Sequence, residues 1–350
     1  MVQTLHLAAL LLLWVGADAF SVGRHGRVAG YGSSLVQQRS MRLQDKTDKM
    51  VDITQEIGYV TPNELVFPED MSDEWEIDCY SRPVVGDDGK KLWEVLITDS
   101  EGTFRYLKPL ASNLVNSRNL RKVVEDVVEE SPVPPKTIRF FRNQMYNMIS
   151  IALSTIDVEV KPSRRTSNLF MWLQEREDHI YPRMQGYNPQ LKQQTILDYD
   201  VSQPDRLPDV LKAESYAFVA LPAEVFWDKQ VNADNIKKGR LCPIRGMPKT
   251  GWIHGVTLLS KRSESIAAWM DGIEIGTLKA DLLSRELVLN TDINAQFVVA
   301  PLLDAQKKEA KIFEKGKTEA LGYHFLSVQA SADSEEVDGF WLLRQFGDNL

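Results

Sequence analysis

Cysteine is nearly absent from this sequence. Cys79 and Cys242 are the two in 350 residues, and neither has a CxxC partner. That spacing argues against a disulfide framework and against a cysteine zinc site, and leaves two reduced thiols. Histidine is scarce as well. Of five, three lie beyond the first 44 residues (His179, His254 and His324), and none stands in an HExxH or other paired spacing. No GxSxG elbow and no GxGxxG fingerprint occurs. Gly246-Met247-Pro248-Lys249-Thr250 lacks the glycine before lysine and the loop length of a phosphate loop. The expectation is a protein with no catalytic residue, no metal and no cofactor. An excess of basic charge is missing too. Lys plus Arg number 41 against 49 Asp plus Glu, a net charge of −8. That argues against a general nucleic-acid coat but leaves room for a local basic patch. With 43% hydrophobic and 26% charged residues the composition is ordinary for a globular chain. The length suggests about two domains, each with a core of its own.

Long apolar runs are missing beyond the N-terminus. Residues 7–15 form an unbroken apolar stretch. It is too short for the ~20 residues that span a bilayer, and it fits the core of a secretory signal. Gly16-Ala17-Asp18-Ala19 then offers small residues for cleavage, although no Lys or Arg precedes the run. Residues 20–44 contain no acid, four arginines (Arg24, Arg27, Arg39 and Arg42) and four serines, which is transit-peptide composition. A signal peptide (1–19) joined to a transit peptide (20–44) with Phe20 at the junction resembles the bipartite presequence of plastid proteins in algae with secondary plastids. The expected destination is the plastid stroma of such an alga, with no transmembrane segment in the mature chain. Residues 1–44 carry four arginines and one acid, so the remainder stands at −11.

Residues 45–73 read as a linker. Alternation over 75–80 predicts a half-buried strand, Gly86-Asp87-Asp88-Gly89 a hairpin turn, and 91–98 and 103–107 the next two strands. Asn116 or Ser117 can cap a helix through Val123, Val124, Val127 and Val128, which Ser131-Pro132 ends. A strand over 137–141, a helix from Asn143, a strand over 158–160 and a helix capped by Ser167 or Asn168 follow. The order β-β-β-α-β-α-β-α is that of a ribonuclease-H-like domain, assigned to 74–186. Residues 187–211 read as a second linker and 212–350 as an α+β domain, so the fold class is mixed α+β and α/β. In the second domain 228–249 reads as charged and irregular, and 304–321 as an amphipathic helix closed by Gly322.

The ribonuclease-H-like order calls for a nuclease test. Such enzymes bring several carboxylates together around two metal ions. Asp78 lies on the first strand, where one acid would belong, and reads as solvent-facing. The strand that should deliver another acid reads Arg139-Phe140-Phe141-Arg142, and arginine there opposes a metal cluster. The same arginines suit RNA. From Lys136 to Arg165 six cations face two acids, and guanidinium and aromatic rings alternate at Arg139–Arg142. Arg164 and Arg165 precede a helix, whose N-terminus attracts anions. Trp341 lies in a nearly all-apolar run, Gly339 to Arg344, that reads as a buried strand or as a strand end presenting a ring to a base.

Several of these segments resemble one family. Trp75-Glu76-Ile77-Asp78 with Ser81-Arg82-Pro83, and Gly89-Lys90-Lys91-Leu92-Trp93-Glu94, resemble the opening of the Tab family of plastid and cyanobacterial translation factors. The segment from Ile138 to Met145, Pro162-Ser163-Arg164-Arg165 and Leu173-Gln174-Glu175-Arg176 are similar to its middle. Ala267-Ala268-Trp269-Met270-Asp271-Gly272 and Gly339-Phe340-Trp341-Leu342-Leu343 are similar to its C-terminal half. The likeness runs over 75–346 and departs at 191–207 and 228–249. It implies an RNA-binding protein that supports translation and biogenesis of photosystem I, and in some members photosystem II, at reaction-centre message leaders. It also implies that Trp341, Leu342 and Leu343 take part in RNA binding.

The expected function is therefore non-catalytic. Arg139, Arg142, Arg164 and Arg165 form a basic face for phosphates, and Trp341, Leu342 and Leu343 meet bases. The partner is the single-stranded 5′ leader of a message, with translation machinery or thylakoid-associated factors as further partners. Binding should weaken steeply with salt. The alternatives are a protein-binding photosystem assembly module and a metal-dependent nuclease.

Overall fold

The computed structural model describes residues 65–192, 203–334 and 336–346. The signal peptide, the transit peptide and the linker up to residue 64 lie outside the described residues.

The alternation that begins at Trp75 becomes β1 (Glu74–Val85), longer than the six residues expected. The Asp-Gly segment then turns the chain, with Gly89 at φ +74° and its N–H donating to Gly86 O at 2.9 Å. β2 (Lys91–Asp99) and β3 (Arg105–Leu110) run antiparallel to their neighbours. Asn116 caps α1 (Ser117–Glu130), its side chain accepting from Asn119 N–H at 3.0 Å. β4 (Thr137–Phe140), α2 (Tyr146–Leu153), β5 (Glu159–Pro162) and α3 (Ser167–Glu175) complete the first half. The strands lie in the order β3-β2-β1-β4-β5, with β4 parallel to both β1 and β5. Element order and sheet order together are those of a ribonuclease-H-like domain. One face of this sheet carries Trp75, Ile77, Val95 and Phe140 against Val124, Val127, Ile149 and Leu153 of α1 and α2. On the other face Leu96, Leu107 and Phe141 pack against Leu169 and Leu173 of α3. Leu65, Phe67 and Met71, read as linker, pack on the first of these cores.

The second half is α+β. β6 (Asp205–Arg206), β7 (Ser215–Pro222), α4 (Glu224–Trp227), β8 (Gly239–Leu241) and β9 (Trp252–Leu259) come first. α5 (Ser263–Asp271), β10 (Ile275–Asp281), β11 (Glu286–Thr291) and β12 (Ala295–Pro301) follow. α6 (Lys307–Glu319), β13 (Tyr323–Gln329) and β14 (Gly339–Arg344) finish it. Two sheets form, β7-β9-β13-β14-β8 and β10-β11-β12-β6. The sequence pattern does not reveal β6, α4 or β8. β8 is three residues of the segment that reads as irregular, and it pairs parallel to β14. Gly239 opens it at φ +119°, and a Cβ there would lie 1.9 Å from Phe340 O, so the close pairing requires glycine. Among the described residues no helix is long and apolar enough to cross a membrane.

Candidate functional site

The structure corrects the expected basic face. Arg139 and Arg142 are interior, 2% and 5% exposed. Arg139 donates to Glu274 through Nε (3.0 Å) and Nη2 (3.2 Å), and to Glu74 through Nη1 (2.8 Å). Glu274 immediately precedes β10, so this ion pair joins the two halves. Ser163 Oγ also donates to Glu274, at 2.8 Å. Burial raises the pKa of Glu274, but the Arg139 bonds and the Arg165 charge outweigh it and hold the carboxyl at about 2.

Arg142 leads into a separate network. Its Nε donates to Asp78 Oδ1 at 2.6 Å, and its guanidinium lies 4.0 Å from the Tyr80 ring centroid. Arg82 bonds both Asp78 (3.0 Å) and Glu94 (2.9 Å), and Arg176 Nη2 reaches Glu94 at 2.7 Å. The sequence pattern predicts a basic face that includes Arg139 and Arg142. Ion pairing across the sheet and between the halves takes both arginines inside instead. Asp78 is buried, not solvent-facing, and its carboxylate is held by two guanidinium groups. Despite burial they keep its pKa below the usual value. An acid so engaged is a poor metal ligand. Among the described residues no cluster of three or more His, Cys, Asp or Glu side chains is placed to hold a metal ion.

Trp341, Leu342 and Leu343 are also core: 3%, 1% and 3% exposed. Trp341 and Leu343 pack with Ile266, Ala267 and Leu326, and Leu342 packs on the other face of the sheet with Phe325 and Phe340. β14 is covered on both sides, which explains its unbroken apolar run. The Trp341 ring is therefore not available to stack on a base. A tryptophan here fixes the position of β14.

What β14 borders is a cleft. A pocket of about 530 Å³ lies where the two halves meet. Arg164, Arg165 and Ser167 line it from the first half. Lys237, Lys238 and Arg240, around β8, and Arg344 at the end of β14 line it from the second. Leu342 and Leu343 contribute to its wall. Among its described lining residues seven are cationic and four acidic. Arg164 crosses to the second half, with Nε donating to Asp292 O at 3.0 Å and Nη2 to Ile293 O at 3.2 Å. Gly276 permits that crossing, since a Cβ there would lie 2.8 Å from Arg164 Cβ.

Three of the four acids in the pocket already have partners, Asp271 accepting from the Gly239 N–H at 3.0 Å. Glu74 accepts from Arg139 and from Arg240. Glu76 accepts from the backbone N–H groups of Asn168 and Leu169, the latter at 2.7 Å, so it takes the role expected of a local Ser167 or Asn168 cap on α3. Burial pushes the Glu76 pKa to about 8. Of the seven residues expected to hold RNA, then, Arg164 and Arg165 reach the pocket as polar donors, Leu342 and Leu343 supply apolar wall, and Arg139 is tied up in its ion pairs. Lys238 and Arg240 were missed because three residues of edge strand carry no periodicity. The Lys237-Lys238-Gly239-Arg240 charge run was the available signal.

Comparison with known proteins matches each half. Residues 74–176 match the family described as RNA-binding protein Tab2/Atab2 N terminal, and residues 194–344 match RNA-binding protein Tab2/Atab2, C-terminal domain. The Arabidopsis thaliana protein named "Protein TAB2 homolog, chloroplastic" is 32% identical over 300 residues, covering 83% of this chain and 79% of that protein. The Zea mays protein of the same name is 32% identical over 306 residues, covering 85% and 77%.

Proposed function

The chain belongs to the Tab2/Atab2 family of RNA-binding proteins, and on that premise we propose that it is a plastid RNA-binding protein that promotes translation and biogenesis of photosystem I, extending to photosystem II, at reaction-centre message leaders. The observation that carries this reading is the match of both halves, in order, to the two parts of that family. The chloroplastic relatives support plastid residence, and the acid-free stretch from 20 to 44 supports delivery to the stroma behind a signal peptide in an alga with a secondary plastid. The cation-rich cleft supports an RNA contact on a chain whose overall charge opposes one. The role is non-catalytic: the acid best placed for metal chemistry, Asp78, is bound to Arg82 and Arg142. The test is crosslinking in intact plastids followed by sequencing of the bound RNA. Enrichment of photosystem reaction-centre leaders is expected. Recovery of RNA in proportion to its abundance would contradict the reading.

A further inference from the structure

Arg165 is a cation without a close acid. Its backbone N–H is fixed by Ser163 Oγ at 3.0 Å, but its guanidinium reaches no carboxylate closer than Glu274, at 3.8 Å. That carboxylate already accepts from Arg139 and Ser163. Burial together with the neighbouring Arg139 and Arg240 charges lowers the Arg165 pKa to about 10. Two further cations line the same wall. Lys238 makes no ion pair among the described residues, and Arg344, whose Nη1 donates to Met171 Sδ, keeps a buried Nε with no hydrogen bond. A cation four-fifths buried and left without a close carboxylate is costly unless an anion completes it. The pocket's own acids do not complete it: Glu74 and Glu76 are bound elsewhere, Asp271 accepts from the Gly239 N–H, and among the described residues Glu101 makes no ion pair with Arg165.

Size and wall chemistry narrow the anion. A cavity of about 530 Å³ falls in the roughly 300–1,000 Å³ range of small-molecule sites, suited to one nucleotide and too small for a duplex. Leu241 and Pro243, both partly exposed, form an apolar side against which a base can rest. We propose that this pocket is a single-nucleotide site, in which Arg165, with Lys238 and Arg344, binds the phosphate of one nucleotide of a single-stranded RNA and the apolar side holds its base. The proposal rests on the RNA-binding reading and adds to it where on the chain the strand is held. The planar guanidinium fork suits a phosphate, and no ring is required for the base.

The test is fluorescence anisotropy with a labelled single-stranded RNA, comparing the full chain with Arg165→Met and Lys238→Gln. Arg165→Met is expected to weaken binding about tenfold or more and to flatten the log–log salt slope by ~0.7, the share of one phosphate on a single strand. Lys238→Gln is expected to weaken it roughly threefold. Lys238→Gln should not lower the melting temperature, whereas Arg165→Met removes a charge that supports Glu274, so its binding is compared below its own melting temperature. RNA carrying a 5′ phosphate and RNA carrying a 5′ hydroxyl distinguish the source. A loss with the hydroxyl form assigns the site to a strand end, and equal binding assigns it to an internal phosphate. Wild-type affinity and slope in both variants would overturn the pocket and leave the RNA-binding reading standing. No binding by the unsubstituted chain would overturn that reading itself.

Discussion

Glu274 of the second half holds Arg139 of the first through two hydrogen bonds, Nε to Oε2 at 3.0 Å and Nη2 to Oε1 at 3.2 Å. Removing the carboxylate leaves a buried guanidinium short of a partner, which costs about 3 kcal/mol or more. Glu274→Ala should therefore unfold at clearly lower denaturant than the unsubstituted chain. The pH dependence has a definite sign. The folded pKa, about 2, lies below the ordinary value of 4.5, so the stabilisation is present above 4.5 and is lost as pH falls through 2. The stability difference between the unsubstituted chain and Glu274→Gln should be constant above pH 4.5 and shrink below it.

Glu76 has the opposite sign. Its folded pKa is raised from 4.5 to about 8, so its contribution is fully present below 4.5 and is lost as pH rises through 8. Glu76→Gln keeps an oxygen for the Leu169 N–H and removes the titration. The variant should gain stability relative to the unsubstituted chain between pH 4.5 and 8, as read by urea unfolding at a series of pH values. An equal pH dependence in both proteins would contradict this.

Trp341→Ala should cost about 3–5 kcal/mol, the range for emptying a buried aromatic site. RNA binding should then fall in proportion to the unfolded fraction. Trp341→Phe, which keeps most of the packing, should retain binding. Loss of binding in a well-folded Trp341→Phe protein would favour direct stacking.

Both thiols should be slow to react. Burial raises the pKa of Cys79 to about 12 and that of Cys242 to about 12, so neither supplies thiolate at neutral pH. Labelling of Cys79 by a disulfide reagent at pH 8 should proceed only as denaturant opens the chain, whereas Cys242, which is partly exposed on the cleft wall, should react faster than Cys79.

Much of the fold was legible because its elements are periodic or capped. The Trp75 alternation, the Asp-Gly turn and the Asn116 cap each state their structure locally, and together they fix the β3-β2-β1-β4-β5 half. The cleft was less legible for two physical reasons. Arginine reads the same whether it faces solvent or a carboxylate from a distant strand, and nothing local to Arg139 and Arg142 reveals their pairing with Glu274 and Asp78. β8 is too short for alternation to register, and its pairing with β14 depends on Gly239, over a hundred residues from its partner. The buried tripeptide Trp341-Leu342-Leu343 was legible as a strand, but its link to the pocket wall comes only from that pairing.

The most direct measurement is the affinity of the purified chain for a photosystem leader RNA as a function of salt. If a few cations in the cleft hold the strand against a net charge of −8, or −11 over residues 45–350, log affinity should fall with log salt at a slope of about −2 to −3, corresponding to three or four phosphates at ~0.7 each. No binding at low salt, or binding that salt does not weaken, would contradict RNA recognition by this cleft.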